Sequence, residues 1–130
     1  MNKDSSSISI VCASLRHRKD RRFILEHYYP QVLGQQINFF EAVDGAFVSE
    51  QHLRKMPPRT PPNGYATRLT KLLILRTFLR SSFDHLIFLE DDVVLSEDFE
   101  SVVRDAVSEQ LSLVFLGGGH PILHSCLALP

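Results

Sequence analysis

Three consecutive carboxylates, Glu90-Asp91-Asp92, follow directly on the apolar run His85-Leu86-Ile87-Phe88-Leu89. Adjacent ionised carboxylates repel one another, and at a partly buried strand end they are costly unless a cation or hydrogen-bond donors offset them. Ligands of open α/β sheets bind at the carboxyl ends of strands, which is where this triplet falls. Alternation along an extended chain sends Glu90 and Asp92 to one side and Asp91 to the other. Glu90 and Asp92 are therefore candidate ligands of one Mg²⁺ or Mn²⁺, hard cations that take oxygen ligands and share them with phosphates. Solvated carboxylates at the start of a loop would give the same triplet.

A basic cluster, Arg16-His17-Arg18-Lys19-Asp20-Arg21-Arg22, follows the first apolar run and can lie along the same edge. Guanidinium forks match phosphate oxygens. A cation site and an arginine-rich loop side by side would suit a nucleoside diphosphate, its phosphates bridged by the metal. A solvated helix start accounts for some of these side chains equally well. Asp44, in the Asp44-Gly45 pair that ends another apolar run, is a candidate acceptor for a ribose or base; turn chemistry alone also explains it.

The elements that must position these groups follow from periodicity. Ile8–Ala13 is β-branched and apolar and reads as a buried strand. Residues 23–29 read as a helix that ends near Pro30. Ile37–Val43 is a second strand. Residues 46–56 are ambiguous, with one helical segment among them. The four prolines of Pro57-Pro58-Arg59-Thr60-Pro61-Pro62 are excluded from a helix interior or central strand, so 57–64 is a loop or flap. Residues 66–80 form a helix with Leu69, Leu72, Leu73, Arg76 and Leu79 at helical spacing, widened by Ile74, Leu75 and Phe78. His85–Leu89 is a third strand. Ser96 caps a helix whose face is Phe99, Val102, Val103, Ala106 and Val107. Leu111–Leu116 is a fourth strand, ended by three glycines. Strands alternating with helices predict an α/β fold, a mostly parallel sheet with helices on both faces.

The chain has 130 residues, one domain by size, with a polar tail over 1–7, a domain over 8–117 and an irregular tail over 118–130. With 14 Lys and Arg against 15 Asp and Glu, the formal charge is −1, without the global basicity of a nucleic-acid coat or polybasic membrane binder. Residues 1–80 carry 13 basic and 6 acidic side chains, and residues 81–130 carry 1 and 9. Cys12 and Cys126 lie in apolar stretches without CxxC spacing, which predicts reduced, buried thiols. No signal peptide or membrane span is legible, and a cytoplasmic protein is expected. A receiver-like module would need paired acids after the first strand, where this chain has arginines.

Four segments resemble one known family. Leu15 to Arg22 resembles the opening L-x-R-x-x-R segment of family 25 glycosyltransferases, which include bacterial lipooligosaccharide galactosyltransferases and the collagen galactosyltransferase group. Phe40-Glu41-Ala42-Val43-Asp44-Gly45 is similar to the family's F-x-A-V-D-G element. Phe88 to Leu95, with Asp98-Phe99, is similar to its L-E-D-D-V strand end, and Val114-Phe115-Leu116-Gly117 to the strand that follows. The resemblance implies a GT-A-type (Rossmann-like) domain and a UDP-sugar donor, often UDP-galactose. It implies a Mn²⁺ or Mg²⁺ ion at Glu90 and Asp92, Arg16 and Arg22 near the nucleotide, and Asp44 near the ribose or uracil. The acceptor would be a saccharide or glycosylated molecule.

Two departures stand beside it. Thr70-Lys71 occupies the place of the family's Ser-His. Family members also continue well beyond this length, and the remainder would supply acceptor contacts, further metal or phosphate ligands, and a catalytic base. No base is assigned here; His120 and His124 read as tail residues. The alternative is a truncated or degenerate, non-catalytic nucleotide-binding domain. A sheet cut off after its fourth strand would expose an edge and an apolar helix face, so self-association is expected.

Overall fold

The computed structural model describes residues 6–114 and 116. The chain divides into two units, Met1–Val93 and Val94–Pro130. The first holds three parallel strands, β1 (Ile8–Ser14), β2 (Asn38–Glu41) and β3 (His85–Glu90), in the order β2-β1-β3. Helix α1 (Lys19–Tyr28) connects β1 to β2. A 3-10 turn (Gly45–Phe47), the short α2 (Glu50–Leu53) and the long α3 (Pro62–Leu79) connect β2 to β3. The α/β class and the parallel sheet are as the periodicity predicts.

The register fixes which groups share a face. Cys12 lies beside Phe39 and Leu89, and Val11 beside Phe88. The Arg22 guanidinium of α1 lies over the Phe39 ring, and the Lys71 ammonium of α3 lies over the Phe88 ring. Successive strand residues point to opposite faces, so α1 and α3 flank opposite sides of the sheet. The core centres on Ile10, Cys12, Leu25, Ile74, Ile87 and Leu89. At the entry edge, the Ser7 N–H and hydroxyl both donate to Asp84 Oδ2 at 2.9 Å, which ties the starts of β1 and β3 and holds the Asp84 carboxyl below its usual range.

Three expectations are corrected in this unit. Helix α1 starts at Lys19, four residues before the expected Phe23, and so absorbs Arg21 and Arg22. Arginine is a good helix former, and the absence of apolar residues from a first turn does not delay a helix. Helix α3 likewise starts at Pro62, inside the stretch assigned to a loop, because proline is suited to the first helical position. Its buried stripe is Ala66, Thr70 and Ile74, while Leu72, Leu75 and Leu79 are exposed. The small Ala66 and the polar Thr70 let the helix sit close: Thr70 Oγ1 accepts the Val43 N–H at 2.9 Å and donates to the Ala66 carbonyl at 2.8 Å. A hydrophobicity pattern ranks the larger exposed leucines above both.

The second unit contains α4 (Phe99–Ser108). Its N-cap is Asp98, without a side-chain cap; Ser96, expected as the cap, instead donates from its hydroxyl to Asp98 Oδ1 at 2.5 Å. Phe99 and Val103 are buried as expected, and Val102 is exposed. Residues 111–114 and 116 form no strand, so the fourth strand is not seen among the described residues. A β-prone apolar run becomes a strand only where a partner edge meets it. Phe115, the glycines 117–119, His120, His124 and Cys126 lie outside the described residues. Among the described residues no helix is long and apolar enough to cross a membrane.

Cys12 is free and buried, as predicted. Burial, reinforced by the nearby Asp91 carboxylate, pushes its thiol up to about 12 from 9.0. The folded chain therefore keeps the thiol proton where the unfolded chain has begun to release it. This contribution to stability is complete below pH 9.0 and is lost as the pH rises toward about 12. Native protein treated with iodoacetamide at pH 8 should leave Cys12 unmodified, as read by peptide mapping. Rapid labelling without denaturant would show an accessible thiolate instead.

Candidate functional site

Strand order β2-β1-β3 sets β1 between two parallel partners, so all three strands end at one carboxyl edge, where open sheets bind ligands. A cleft of about 280 Å³ opens there. It is lined by Ala13 and Leu15 from the end of β1, Arg18 and Arg21 at the start of α1, Val43 and Gly45 after β2, the first half of α3, and Glu90, Asp91 and Asp92. That volume is near the lower limit of small-molecule sites.

The three carboxylates have three different environments. Asp91 is on the α1 side: its Oδ1 accepts from Arg21 Nη1 at 2.6 Å, and its Oδ2 accepts from the Ser14 hydroxyl at 3.0 Å. Ser14 is fully buried, and its carbonyl accepts from Arg22 Nη2 at 3.1 Å. Glu90 is on the α3 side, its Oε1 3.4 Å from Lys71 Nζ, and both side chains are about half exposed. Asp92 is exposed and forms no hydrogen bond or ion pair with the described residues. Glu90 and Asp91 thus diverge as strand alternation requires.

The arginines divide as well. Arg18 and Arg21 line the cleft. Arg18 holds Asp20 with two hydrogen bonds, at 3.0 and 2.8 Å, and this pairing pulls the Asp20 carboxyl down to about 2. Arg22, expected near a nucleotide, lies against Phe39, with its Nε buried and unpartnered among the described residues. Arg16 is exposed. Asp44 caps the 3-10 turn, accepting the Ala46 N–H at 2.9 Å, and its other oxygen is 3.9 Å from His17 Nδ1. Neither Arg16, Arg22 nor Asp44 lines the cleft. Sequence reasoning assigned no site role to Ser14 or Lys71, and offered Arg18 and Arg21 only as members of the phosphate-matching basic cluster. The one signal available for Ser14 was its place on the Ile10, Cys12 face of β1, on which a polar residue needs a partner.

A divalent ion held by Glu90 and Asp92 would have to displace the Lys71 ammonium first. Asp91 is already committed to Arg21 and Ser14. Among the described residues no group of three or more His, Cys, Asp or Glu side chains is gathered to hold a metal. Glu90 and Asp92 are the two carboxylates left to share such an ion with phosphate oxygens, and Lys71 stands at the first of them. What the cleft does offer is three cations, Arg18, Arg21 and Lys71, set among three carboxylates, a balanced surface able to orient an anion by exchanging one internal ion pair for a ligand contact.

Comparison of the chain with protein-family models, with curated proteins and with solved structures gives no match.

Proposed function

We propose that this chain carries the nucleotide-sugar half of a glycosyltransferase of the family 25 type, on a GT-A-like α/β domain, and that it moves a hexose from UDP to a hydroxyl of a saccharide or glycosylated acceptor. Galactose is the hexose implied by the resemblance. The observation that supports this reading is convergence. Leu15, Val43 with Gly45, and Glu90 to Asp92 belong to three separate family-like segments, yet all line one cleft at the carboxyl edge of the sheet. In such a transfer the bond from the anomeric carbon to the diphosphate oxygen breaks, a bond to the acceptor oxygen forms, and the acceptor hydroxyl gives up its proton to solvent or a general base. The departing UDP gains negative charge, which cations fixed around the cleft stabilise.

The second reading, a non-catalytic nucleotide-binding domain, is favoured by one observation: two of the three carboxylates are engaged by the chain's own cations. Titration calorimetry with UDP, in EDTA and again in Mn²⁺ or Mg²⁺, tests what the readings share. Binding is expected under at least one of these conditions. No binding under any of these conditions overturns both readings. Release of hexose from UDP-galactose, or its transfer, then separates the enzyme from the binding domain.

A further inference from the structure

We infer that Lys71 is the built-in cation of this cleft, standing at Glu90 in the place of a divalent ion, so that a diphosphate group binds without metal. The inference rests on the nucleotide reading for the identity of the ligand, but only on the cleft for its chemistry.

The three cations that line the cleft are not equally available. Arg21 is held by Asp91 at 2.6 Å, and that carboxylate is nearly buried. Releasing it would leave the Asp91 charge without its counter-ion in a low-dielectric setting. Arg18 is held by Asp20 through a two-point fork, a geometry that is orientationally fixed. Lys71 alone is held loosely, by one contact of 3.4 Å between half-exposed groups. Such a pair contributes little and is easily exchanged. The ammonium is nevertheless kept at the cleft, 5.6 Å from the centre of the Phe88 ring, with its stem rooted on α3. It is a point charge with three rotatable donors, able to leave Glu90 for a phosphate oxygen without any backbone movement.

Lys71 is positioned by its neighbour. Thr70, the residue before it, is a buried latch between α3 and Val43. Thr70 therefore fixes the rotation of α3, and that rotation delivers Lys71 to the strand end. The metal's usual service to a diphosphate is to place positive charge between acidic side chains and phosphate oxygens. Here a side chain already holds that place. Asp92, the carboxylate with no counter-ion among the described residues, then repels the ligand instead of helping to bind it.

The test is calorimetric titration of inorganic pyrophosphate and, separately, of UDP into the whole chain, in EDTA and in Mn²⁺. The variants are Lys71→Met, Lys71→Arg and Asp92→Asn. The wild-type chain is expected to bind both ligands in EDTA, with less than a twofold change on adding Mn²⁺. Lys71→Met, which removes the charge and keeps an unbranched apolar side chain, should weaken both by about tenfold in EDTA, and Lys71→Arg should restore most of the loss. Asp92→Asn should bind at least as tightly as wild type. Wild-type binding that disappears in EDTA and returns with Mn²⁺, or Lys71→Met binding as wild type does, overturns the inference and leaves the nucleotide reading intact. Pyrophosphate binding in EDTA without UDP binding overturns the nucleotide reading and supports the inference. Failure of both ligands in every condition overturns both. Circular dichroism of each variant, expected to match wild type because Lys71 and Asp92 are exposed, excludes misfolding as the cause.

Discussion

Replacing Asp91 with alanine is expected to lower the stability of the chain by about 2–3 kcal/mol, below the full cost of breaking a buried ion pair because Arg21 remains partly solvated. Asp91 is the least accessible carboxylate of the triplet, its side chain 11% exposed, against 34% for Arg21. Truncation removes the 2.6 Å contact to Arg21 and leaves the buried Ser14 hydroxyl without the oxygen to which it donates at 3.0 Å. Ser14 terminates the central strand, so the loss falls where β1, α1 and β3 are tied together. Asp91→Asn should cost less, since an amide oxygen can still accept from Ser14 while the charge is lost. Urea denaturation followed by circular dichroism gives the comparison, read as the shift in midpoint at constant slope. Glu90→Ala is the control. Its pair with Lys71 is half exposed, and its removal should change stability by less than about 1 kcal/mol. A wild-type midpoint for Asp91→Ala would mean that this pair is not a structural tie, and the assignment of Asp91 to the scaffold would fall.

The second large effect is expected at Gly45. A Cβ added there would meet the backbone of Asn63, with Cα and N each 2.9 Å away, as well as the Asn63 side-chain oxygen. A side chain can rotate aside, but the first turn of α3 cannot. Gly45→Ala should therefore destabilise by about 2–3 kcal/mol, within the range for forced insertion into a packed site. Because Gly45 and Asn63 both line the cleft, displacement of α3 should also weaken any ligand bound there. Pairing Gly45→Ala with Asn63→Ala removes the side-chain clash and leaves the backbone clash, so it should recover only a minor part of the stability. Gly34→Ala tests a different mechanism. Gly34 has φ +75° and nothing near its missing Cβ, so its substitution strains the backbone without a clash, at about 1 kcal/mol. Full recovery in the Gly45 and Asn63 double variant would show that backbone approach is not what requires glycine.

These two sites mark how far the candidate site was legible. Glu90-Asp91-Asp92 was visible as the end of a buried strand, and alternation placed Glu90 and Asp91 on opposite sides, as found. Arg18 and Arg21 were visible as members of a basic cluster, and Lys71 only as a departure from the family-like pattern. Choosing among the arginines required the phase of α1, which depends on where the helix begins. That start, Lys19, carries no apolar signal. Gly45 was legible as a turn residue, yet its backbone is not in the left-handed region, and close approach by α3 is what excludes a side chain.

The amino-acid sequence by itself determined the alternation of strands and helices, the three strand positions, the exclusion of prolines 57, 58 and 61 from a helix interior, and the burial of Cys12. Each of these follows from local period or from the covalent geometry of single residues, which act before distant parts of the chain meet. Only the tertiary structure decided that Asp91 belongs to Arg21 and Ser14, that Glu90 faces Lys71, that the buried stripe of α3 runs through Thr70, and that residues 111–114 form no strand. Those outcomes depend on register and on contacts between segments up to 77 residues apart, where an ion pair or a strand exists only if its partner arrives.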